Sequence, residues 1–225
     1  MSALRLLAID GPAASGKSST AAAVARALGW IHIDSGALYR VVTWFAVVRQ
    51  LHAPEAILAA AEAGEVTLVR DGTTLEVRVR GREVESAIRS EAVTARVSEV
   101  AAIPAVRDWV NRRLRAAVRE WGGGVMDGRD IGTAVFPDAP LKVFLTATPE
   151  ARARRRLRQG GVEGDPAEVA AEAARLAERD RLDAGRAVAP LRQAPDARLL
   201  DTTDMAFEEQ VAAILAWAGE AGFRP

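Results

Sequence analysis

A loop of glycine and small residues near the start of the chain constrains the fold more than any other feature. Residues 11–18 read Gly-Pro-Ala-Ala-Ser-Gly-Lys-Ser and fit the phosphate-binding pattern G-x-x-x-x-G-K-[S/T]. The apolar run 4–9 predicts a buried strand before the loop, and the alanine-rich stretch 19–28 predicts a helix after it. In this context backbone N–H groups and a helix N-terminus can surround a phosphate, which disfavours the alternative of a chance glycine turn.

Two side chains of the loop carry its chemistry. Lys17 can reach the β- and γ-phosphates of a nucleotide, and the hydroxyl of Ser18 can hold Mg²⁺. Of the 30 Lys+Arg residues, only Lys17 and Lys142 are lysine. In a chain that otherwise uses arginine, a lysine here indicates a need for a compact ammonium group rather than a planar fork.

Composition excludes several other kinds of chemistry. The 225 residues suit one sizeable domain, or a core with inserted lobes. With Cys 0 and His 2, thiolate catalysis is excluded and a zinc site is disfavoured; we interpret His32 and His52 as structural. The formal net charge of +0 argues against general nucleic-acid binding. No apolar run is long enough to span a membrane, and the first strand leaves no room for a secretory signal, so we expect a cytoplasmic protein.

A second strand is predicted at residues 30–33, followed by a helix at 37–50 and a shorter one at 53–63. Asp34 and Ser35 stand between the strand and the first helix, where both are good N-cap residues. Alternatively, Ser35 and Arg40 bind a second phosphate at this helix N-terminus. Neither residue alone decides between the two interpretations.

The hydrophobic period changes after residue 64. Residues 66–70 and 73–79 alternate around Asp71-Gly72, which predicts an antiparallel hairpin. A hairpin within a strand–helix chain indicates an inserted lobe at about residues 64–84. Helices are predicted at 86–102 and 105–119, with Ser98 and Arg107 on either side of the break at Pro104.

The remaining strands place more polar residues at strand ends. A short strand at 125–126 runs into Asp127-Gly128-Arg129-Asp130, and further strands are predicted at 141–147 and 198–201, before a closing helix at 206–217. The alternation predicts an α/β fold with a parallel five-stranded sheet flanked by helices. Ligands bind beyond the carboxyl ends of such strands, so the phosphate loop, Asp34-Ser35 and residues 127–130 should face one cleft.

Between the last two strands the chain predicts an arginine-dense helix at 152–158, a glycine-rich break at 160–166 and a helix at 167–184. Arg179, Asp183 and Arg186 have the spacing of one helix face, although Gly185 can end the helix before Arg186. Such spacing usually marks a solvated ion-pair stripe. The alternative is that residues 154–184 form a lid that closes over the reaction.

Taken together, the motifs resemble those of the bacterial cytidylate kinase family. They are the loop 11–18, the run Asp-Ser-Gly-Ala-Leu-Tyr-Arg at 34–40, the run Asp-Gly-Arg-Asp-Ile-Gly-Thr-Ala-Val-Phe-Pro at 127–137, and Arg-Ala-Val-Ala-Pro-Leu at 186–191. The resemblance runs from the first strand to the closing helix. It implies a P-loop NTPase-type kinase domain over 1–225, with a nucleoside-monophosphate-binding lobe at 37–120, the β insert at about 64–84 and a short lid at 154–184.

The same resemblance implies the reaction ATP + CMP giving ADP + CDP, with dCMP also accepted. The loop residues expected to hold ATP are Gly11, Pro12, Ala13, Ala14, Ser15, Gly16, Lys17, Ser18 and Ser19, with Ser18 as the Mg²⁺ ligand. Residues 13–15 and 18–19 depart from the commoner serine-glycine and glycine-threonine forms of the loop, but the lysine and the hydroxyl remain.

By motif match, the resemblance also assigns the acceptor site. The residues expected to bind the CMP phosphate are Ser35, Arg40, Arg129 and Arg186. Those expected to read cytosine are Ser98, Arg107 and Asp130, and those expected to hold the sugar are Arg179 and Asp183. The catalytic set is Lys17, Arg129, Arg186 and Arg155, the last as a lid arginine near ATP.

Other functions compete with this hypothesis. Another P-loop small-molecule kinase would keep the fold and change the acceptor. A guanine-reading switch would need an N-K-x-D motif, whereas the one asparagine, Asn111, precedes Arg112. A motor or nucleic-acid remodeller is disfavoured by the neutral charge. The expected partners are therefore CMP, dCMP and ATP, without nucleic acid or membrane, and we expect a monomer.

Overall fold

The computed structural model describes residues 5–224 as a central sheet with helices on both faces. Its strands are β1 Leu6–Asp10, β2 His32–Asp34, β3 Val66–Asp71, β4 Thr74–Val79, β5 Arg82–Glu83, β6 Gly124–Gly128, β7 Leu141–Thr146 and β8 Arg198–Asp201. Its α-helices are α1 Lys17–Ala27, α2 Ser35–Val48, α3 Pro54–Glu62, α4 Glu85–Ile88, α5 Glu91–Val100, α6 Pro104–Trp121, α7 Pro149–Gln159, α8 Pro166–Ala184 and α9 Phe207–Glu220. A π-helical turn, Ile131–Val135, follows β6.

The sheet has the order β3-β4-β2-β6-β1-β7-β8, with β5 beside β4. The strands β2, β6, β1, β7 and β8 run parallel, which confirms the predicted five-stranded parallel core. The described chain nevertheless forms an 8-stranded sheet, because the hairpin joins the edge of β2 through the pair His32 and Thr74. Local alternation predicts a hairpin, but not the sheet edge against which it docks.

Three local predictions were wrong in detail. The helix predicted at 86–102 is two helices, α4 and α5, because Ser90 has an extended backbone at φ −56° and ψ 158°. The hairpin turn lies one residue later than predicted, since Asp71 pairs with Thr74 and Gly72 adopts a left-handed φ of 55°. The first strand is described as Leu6–Asp10, so it leaves out Arg5 and includes Asp10, while Leu4 lies outside the described residues.

Apolar side chains fill both faces of the sheet because successive residues of a strand point to opposite sides. On one face, Leu6 and Ala8 of β1 pack with residues of α2 and α6. On the other face, Leu7 and Ile9 pack with residues of α1 and α9. This two-sided burial explains why β1 reads as a continuous apolar run.

The parallel register brings the polar strand ends together at one edge. Asp10 pairs with Gly128, and Asp34 pairs with Asp127. The phosphate loop, the start of α2 and the Arg129-Asp130 segment therefore leave the sheet side by side. Among residues 5–224, none of the helices combines the length and the apolarity needed to cross a lipid bilayer.

Candidate functional site

The phosphate loop connects β1 to α1 in a tight turn. Gly16 at the helix N-cap and Ala14 both have left-handed backbones, with φ of 93° and 56°. A Cβ atom at Gly11 would lie 2.1 Å from the carbonyl oxygen of Leu145, so the loop can pass β7 only with glycine here. The helix N-terminus opens on the space that the loop surrounds, which suits an anion.

Lys17 is the buried cation of this loop. Its ammonium donates a hydrogen bond to the carbonyl of Pro12 at 2.9 Å. Burial and, next, the charge of Arg129 lower the pKa of Lys17 to about 7. A bound phosphate would oppose both effects by placing negative charge beside the ammonium.

The half-buried Ser18 begins a hydrogen-bonded chain through the buried Asp127 and His32, which the sequence analysis missed. Its hydroxyl donates to Asp127 Oδ2 at 2.5 Å, and the other oxygen of Asp127 lies 2.8 Å from His32 Nε2. Burial would raise the pKa of Asp127, but His32 and Lys17 hold it below its ordinary value. Adjacent parallel strands bring Asp127 and His32 together, and the separate sequence positions carried no signal of this pairing.

The same pair of oxygen groups suits a magnesium ion. Hydroxyl and carboxylate oxygens are hard ligands, and Mg²⁺ commonly binds proteins through one or two of them together with substrate phosphates. The donor chemistry of Ser18 and Asp127 therefore fits the ion that a phosphate loop requires. In the described part of the chain, no cluster of three or more His, Asp and Glu side chains could hold a metal ion. Substrate phosphates would therefore have to supply further ligands.

A cleft of about 450 Å³ opens beside the loop, between α2 and α5 on one side and α7 and α8 on the other. Most of the predicted site residues line it: Ala14, Gly16, Lys17, Ser18, Ser19, Ser35, Arg40, Ser98, Arg129, Asp130, Arg179, Asp183 and Arg186. The other predicted residues lie outside its wall: Gly11, Pro12, Ala13, Ser15, Arg107 and Arg155. The structure thus gathers residues from five separate stretches of the chain around one space.

Arginine side chains dominate the wall opposite the loop. Arg40 donates to Thr94 Oγ1 at 2.9 Å, and Arg129 donates to Asp183 at 3.1 Å. Burial and, next, a neighbouring arginine lower the pKa of Arg40 to about 10 and that of Arg179 to about 9. Buried cations that repel one another form a site for an anion with several charges.

Asp183 is the carboxylate at the centre of these arginines. It accepts hydrogen bonds from Arg129, Arg186 and the hydroxyl of Ser98, the last at 2.9 Å. Burial would raise its pKa, but Arg129 and Arg186 keep it below the ordinary value. Because Ser98 lies on α5 and Asp183 on α8, this contact also joins the two sides of the cleft.

Arg107 and Asp130 form a buried ion pair at the inner end of the cleft. Arg107 is 1% exposed and Asp130 3% exposed, and Asp130 lines the cleft whereas Arg107 stands behind it. Burial raises the pKa of Asp130 despite the opposing charge of Arg107. The structure therefore places Arg107 in contact with Asp130, where the sequence analysis had both residues facing the base.

The lid arginine named from the sequence, Arg155, does not line the cleft, although it contacts the phosphate loop. Arg155 donates to Thr202 Oγ1 at 2.9 Å and to the carbonyl of Ser15 at 3.4 Å, on the β8 side of the loop. The next residue, Arg156, lines the cleft instead, together with Arg89. Neighbouring residues of a helix point about 100° apart, so a one-residue difference decides which arginine faces the cleft. Sequence reasoning had no basis for choosing within this arginine run.

The α7–α8 segment also contacts the phosphate loop directly. Asp180 accepts from the backbone N–H of Ala13 at 2.8 Å, and Arg152 donates to the carbonyl of Ala13 at 2.9 Å. Arg152 and Asp180 pair with each other at 2.5 Å. Both polar groups of one loop residue are thus held from α7 and α8, a pair of contacts that the sequence analysis did not anticipate.

The comparisons of sequence agree on one family. The sequence profile of the family described as cytidylate kinase matches residues 7–220. A cytidylate kinase of Pseudomonas paraeruginosa is 46% identical over 225 residues, covering 98% of both chains. Another, from Geobacillus kaustophilus, is 44% identical over 216 residues, covering 95% of this chain and 96% of its own. Among solved structures, an uncharacterized protein of Eubacterium ventriosum shares the fold, with a TM-score of 0.54 and 11% identity over 96% of this chain and 99% of that one.

Proposed function

The chain belongs to the cytidylate kinase family, and we propose that its cleft transfers the γ-phosphoryl group of ATP to the phosphate of CMP, giving ADP and CDP. One observation carries the proposal. A single cleft has the phosphate loop with Lys17 on one side and the arginines Arg40, Arg129 and Arg186 on the other. Two phosphate-binding arrangements that share one space suit the transfer of a phosphoryl group between two phosphates.

On the donor side, the backbone of residues 11–19 holds the phosphates of ATP. Lys17 is the first residue of α1, and its ammonium lies against the loop at the carbonyl of Pro12. From there it contacts the phosphoryl group that is transferred. Ser18 and Asp127 would hold Mg²⁺, which would neutralise part of the phosphate charge. His32 keeps the carboxylate of Asp127 turned toward Ser18 through its hydrogen bond of 2.8 Å.

On the acceptor side, Ser35, Arg40, Arg129 and Arg186 bind the phosphate of CMP. Arginine forks match phosphate geometry, and burial makes each contact stronger than it would be in water. Arg129 and Arg186 are held toward the cleft by Asp183, so little rearrangement is needed when the phosphate arrives. Arg179 and Asp183 hold the sugar, including that of dCMP.

Asp130 gives the site its choice of base. A carboxylate accepts a hydrogen bond from the amino group of cytosine, whereas uracil presents a carbonyl oxygen at that position and is repelled. Ser98 contributes to the same recognition, and Arg107 acts behind Asp130 by holding its carboxylate in place.

The chemistry follows from positioning and charge. The acceptor oxygen of CMP is already anionic near neutral pH, so the step needs no general base. Lys17, Arg129 and Arg186 stabilise the charge on the transferring group, and Arg156 of α7 joins them from the lid side of the cleft. Closure of residues 154–184 excludes water, which limits hydrolysis of ATP.

The larger organisation is part of the same proposal. Residues 1–225 act as one kinase domain and as a monomer, with residues 37–120 as the lobe that binds the nucleoside monophosphate. Two features support a lid at 154–184. Its helices α7 and α8 are separated by the break at 160–165, and both helices line the cleft.

The proposal is tested by coupled measurement of ADP release with CMP, dCMP, UMP, AMP and shikimate as acceptors. We expect rapid release with CMP and dCMP, slower release with UMP, and background rates with AMP and shikimate. Preference for AMP or shikimate would assign the cleft to another small-molecule kinase. Equal release with and without an acceptor would indicate an ATPase and contradict the proposal.

A further inference from the structure

Asp10 is a buried carboxylate at the end of β1, one residue before the phosphate loop. It is 5% exposed. Its Oδ1 accepts a hydrogen bond from the backbone N–H of Ile131, and its Oδ2 accepts one from that of Gly132, each at 2.8 Å. The two oxygens of one side chain therefore hold two successive peptides of a distant segment.

Those two peptides begin the π-helical turn Ile131–Val135. The first N–H groups of a helical turn have no partner inside the turn, so Asp10 supplies the partners that they lack. The carbonyl of Asp130 accepts from the N–H groups of Ala134 and Val135, at 2.9 and 3.2 Å. The backbone of Asp130 is thus built into the turn that Asp10 supports.

Arg129 and Asp130 lie between two anchors that Asp10 supplies. Strand β6 ends at Gly128, which pairs with Asp10 in the sheet. The chain is held again at residues 131 and 132 by the Asp10 side chain. Both intervening side chains line the cleft. A shift of the second anchor would move both of them.

The contact requires a carboxylate and a close approach. Burial raises the pKa of Asp10 to about 6, although the two backbone N–H groups oppose this rise. An amide at this position could accept one of the N–H groups but would present its own N–H to the other. A Cβ atom on Gly132 would lie 3.4 Å from Asp10 Oδ2, in van der Waals contact, and only 3.0 Å from the Lys142 side chain, so glycine lets the turn pack closely between these two side chains.

We propose that Asp10 is a positioning residue for the acceptor nucleotide, whose carboxylate sets the place of Arg129 and Asp130 and thereby the affinity for CMP and the choice of base. This inference rests on the proposed function. The donor side depends on other contacts, those of Lys17 with Pro12 and of Ser18 with Asp127. Loss of the Asp10 contact should therefore affect the acceptor much more than ATP.

The test is the variant Asp10→Asn, with KM measured for CMP and for ATP and kcat/KM measured for CMP and UMP. We expect KM for CMP to rise about tenfold, the CMP-to-UMP ratio to fall about fivefold, and KM for ATP to stay within about twofold. Asp71→Asn is the matched control, since Asp71 is exposed at the end of β3, on the edge strand of the sheet and away from the cleft. The control should leave all four quantities unchanged.

A second variant keeps the test decisive if Asp10→Asn does not fold. Gly132→Ala displaces the same turn, because its Cβ would lie 3.0 Å from the Lys142 side chain, and it should change the CMP constants in the same direction. Calorimetric titration with CMP and with ADP checks that binding itself has changed. Equal losses of affinity for CMP and for ADP would overturn the inference. An unchanged ratio of kcat/KM for CMP over UMP in the folded variants would overturn it as well. Failure of the unaltered protein to phosphorylate CMP would instead overturn the proposed function.

Discussion

At the scale of single residues, the cleft is an arrangement of buried charges. Lys17, Arg129 and Arg179 repel one another, and Asp127 and Asp183 oppose that repulsion. A buried charge destabilises the fold unless it is paired. The site therefore holds positive charge that a bound phosphate would stabilise. Removal of one charged residue can thus raise the stability of the free protein while it lowers the rate of turnover.

Lys17→Met should separate these two effects. The pKa of Lys17 is about 7 in the folded protein against an ordinary 10.5, so the unfolded chain binds more protons between these pH values. The destabilisation by this group is complete below pH 7 and disappears as pH rises toward 10. Without nucleotide at pH 6.5, the variant should melt about 4 °C higher or more, with the difference shrinking at higher pH. Its kcat should fall at least about a hundredfold.

Two outcomes would contradict the account of Lys17. One is a kcat above about a tenth of normal, because contacts to a transferring phosphoryl group usually supply several powers of ten. The other is a lower melting temperature at pH 6.5 that does not change with pH. Lys142→Met is the matched control, since Lys142 is equally buried but pairs with Asp196 away from the cleft. It should lose stability and keep its kcat.

Asp130→Asn tests the choice of base while preserving the shape of the side chain. The amide keeps one acceptor but adds a donor that suits the carbonyl of uracil. We expect kcat/KM for CMP to fall by an amount that corresponds to about 1–3 kcal/mol of activation free energy. For UMP, kcat/KM should fall less or should rise. Melting temperature should fall as well, because Arg107 is buried and loses its charged partner.

Asp138→Asn is the control for Asp130→Asn, because Asp138 is exposed. It should change neither the kcat/KM values for CMP and UMP nor the melting temperature. Apparent affinity for ATP should stay the same in both variants, because neither touches the phosphate loop. A folded Asp130→Asn variant with an unchanged CMP-to-UMP ratio would show that Asp130 does not read the base.

At the scale of elements, the sequence predicted what depends on short stretches. The phosphate loop, the parallel strands and the hairpin each follow from a local pattern, and each is found. The break between α4 and α5 and the π-helical turn were missed. The turn depends on a contact with Asp10, which lies 121 positions from Ile131 in the chain. His32, Asp180 and Asp10 look ordinary in the sequence because their partners are brought near only by the fold.

The contact between the α7–α8 segment and the phosphate loop gives a prediction for the donor side. Asp180→Ala removes the acceptor for the Ala13 N–H and the partner of the buried Arg152. We expect KM for ATP to rise about tenfold while KM for CMP changes less than about twofold. The phosphate loop loses a hydrogen bond that holds it, whereas the arginines on the acceptor side of the cleft keep their contacts. Steady-state kinetics with each substrate varied in turn measures both constants.

Glu178→Gln is the matched control for Asp180→Ala. Glu178 lies on the same helix but pairs with Arg181, and both of these side chains are exposed. Exposed ion pairs contribute little, so both constants should stay as they are. A rise in KM for CMP alone, or equal rises for both substrates, would show that Asp180 does not act through the phosphate loop.

At the scale of the whole molecule, the fold concentrates positive charge that the chain as a whole does not have. The formal net charge is +0, yet Arg40, Arg89, Arg129, Arg156, Arg179 and Arg186 all line one cleft. The parallel sheet produces this concentration by ending its strands at a common edge, and α7 and α8 complete the wall. We therefore infer that the two sides of this cleft hold the donor and the acceptor of one phosphoryl group.

The fate of the γ-phosphoryl group distinguishes transfer between nucleotides from hydrolysis. The protein is incubated with CMP, Mg²⁺ and ATP labelled with ³²P at the γ-position, and the products are separated by chromatography. We predict that the label appears in CDP in amounts equal to the ADP formed, and that Lys17→Ala abolishes this transfer. Label released as inorganic phosphate, or the same labelling of CDP by Lys17→Ala, would contradict the account.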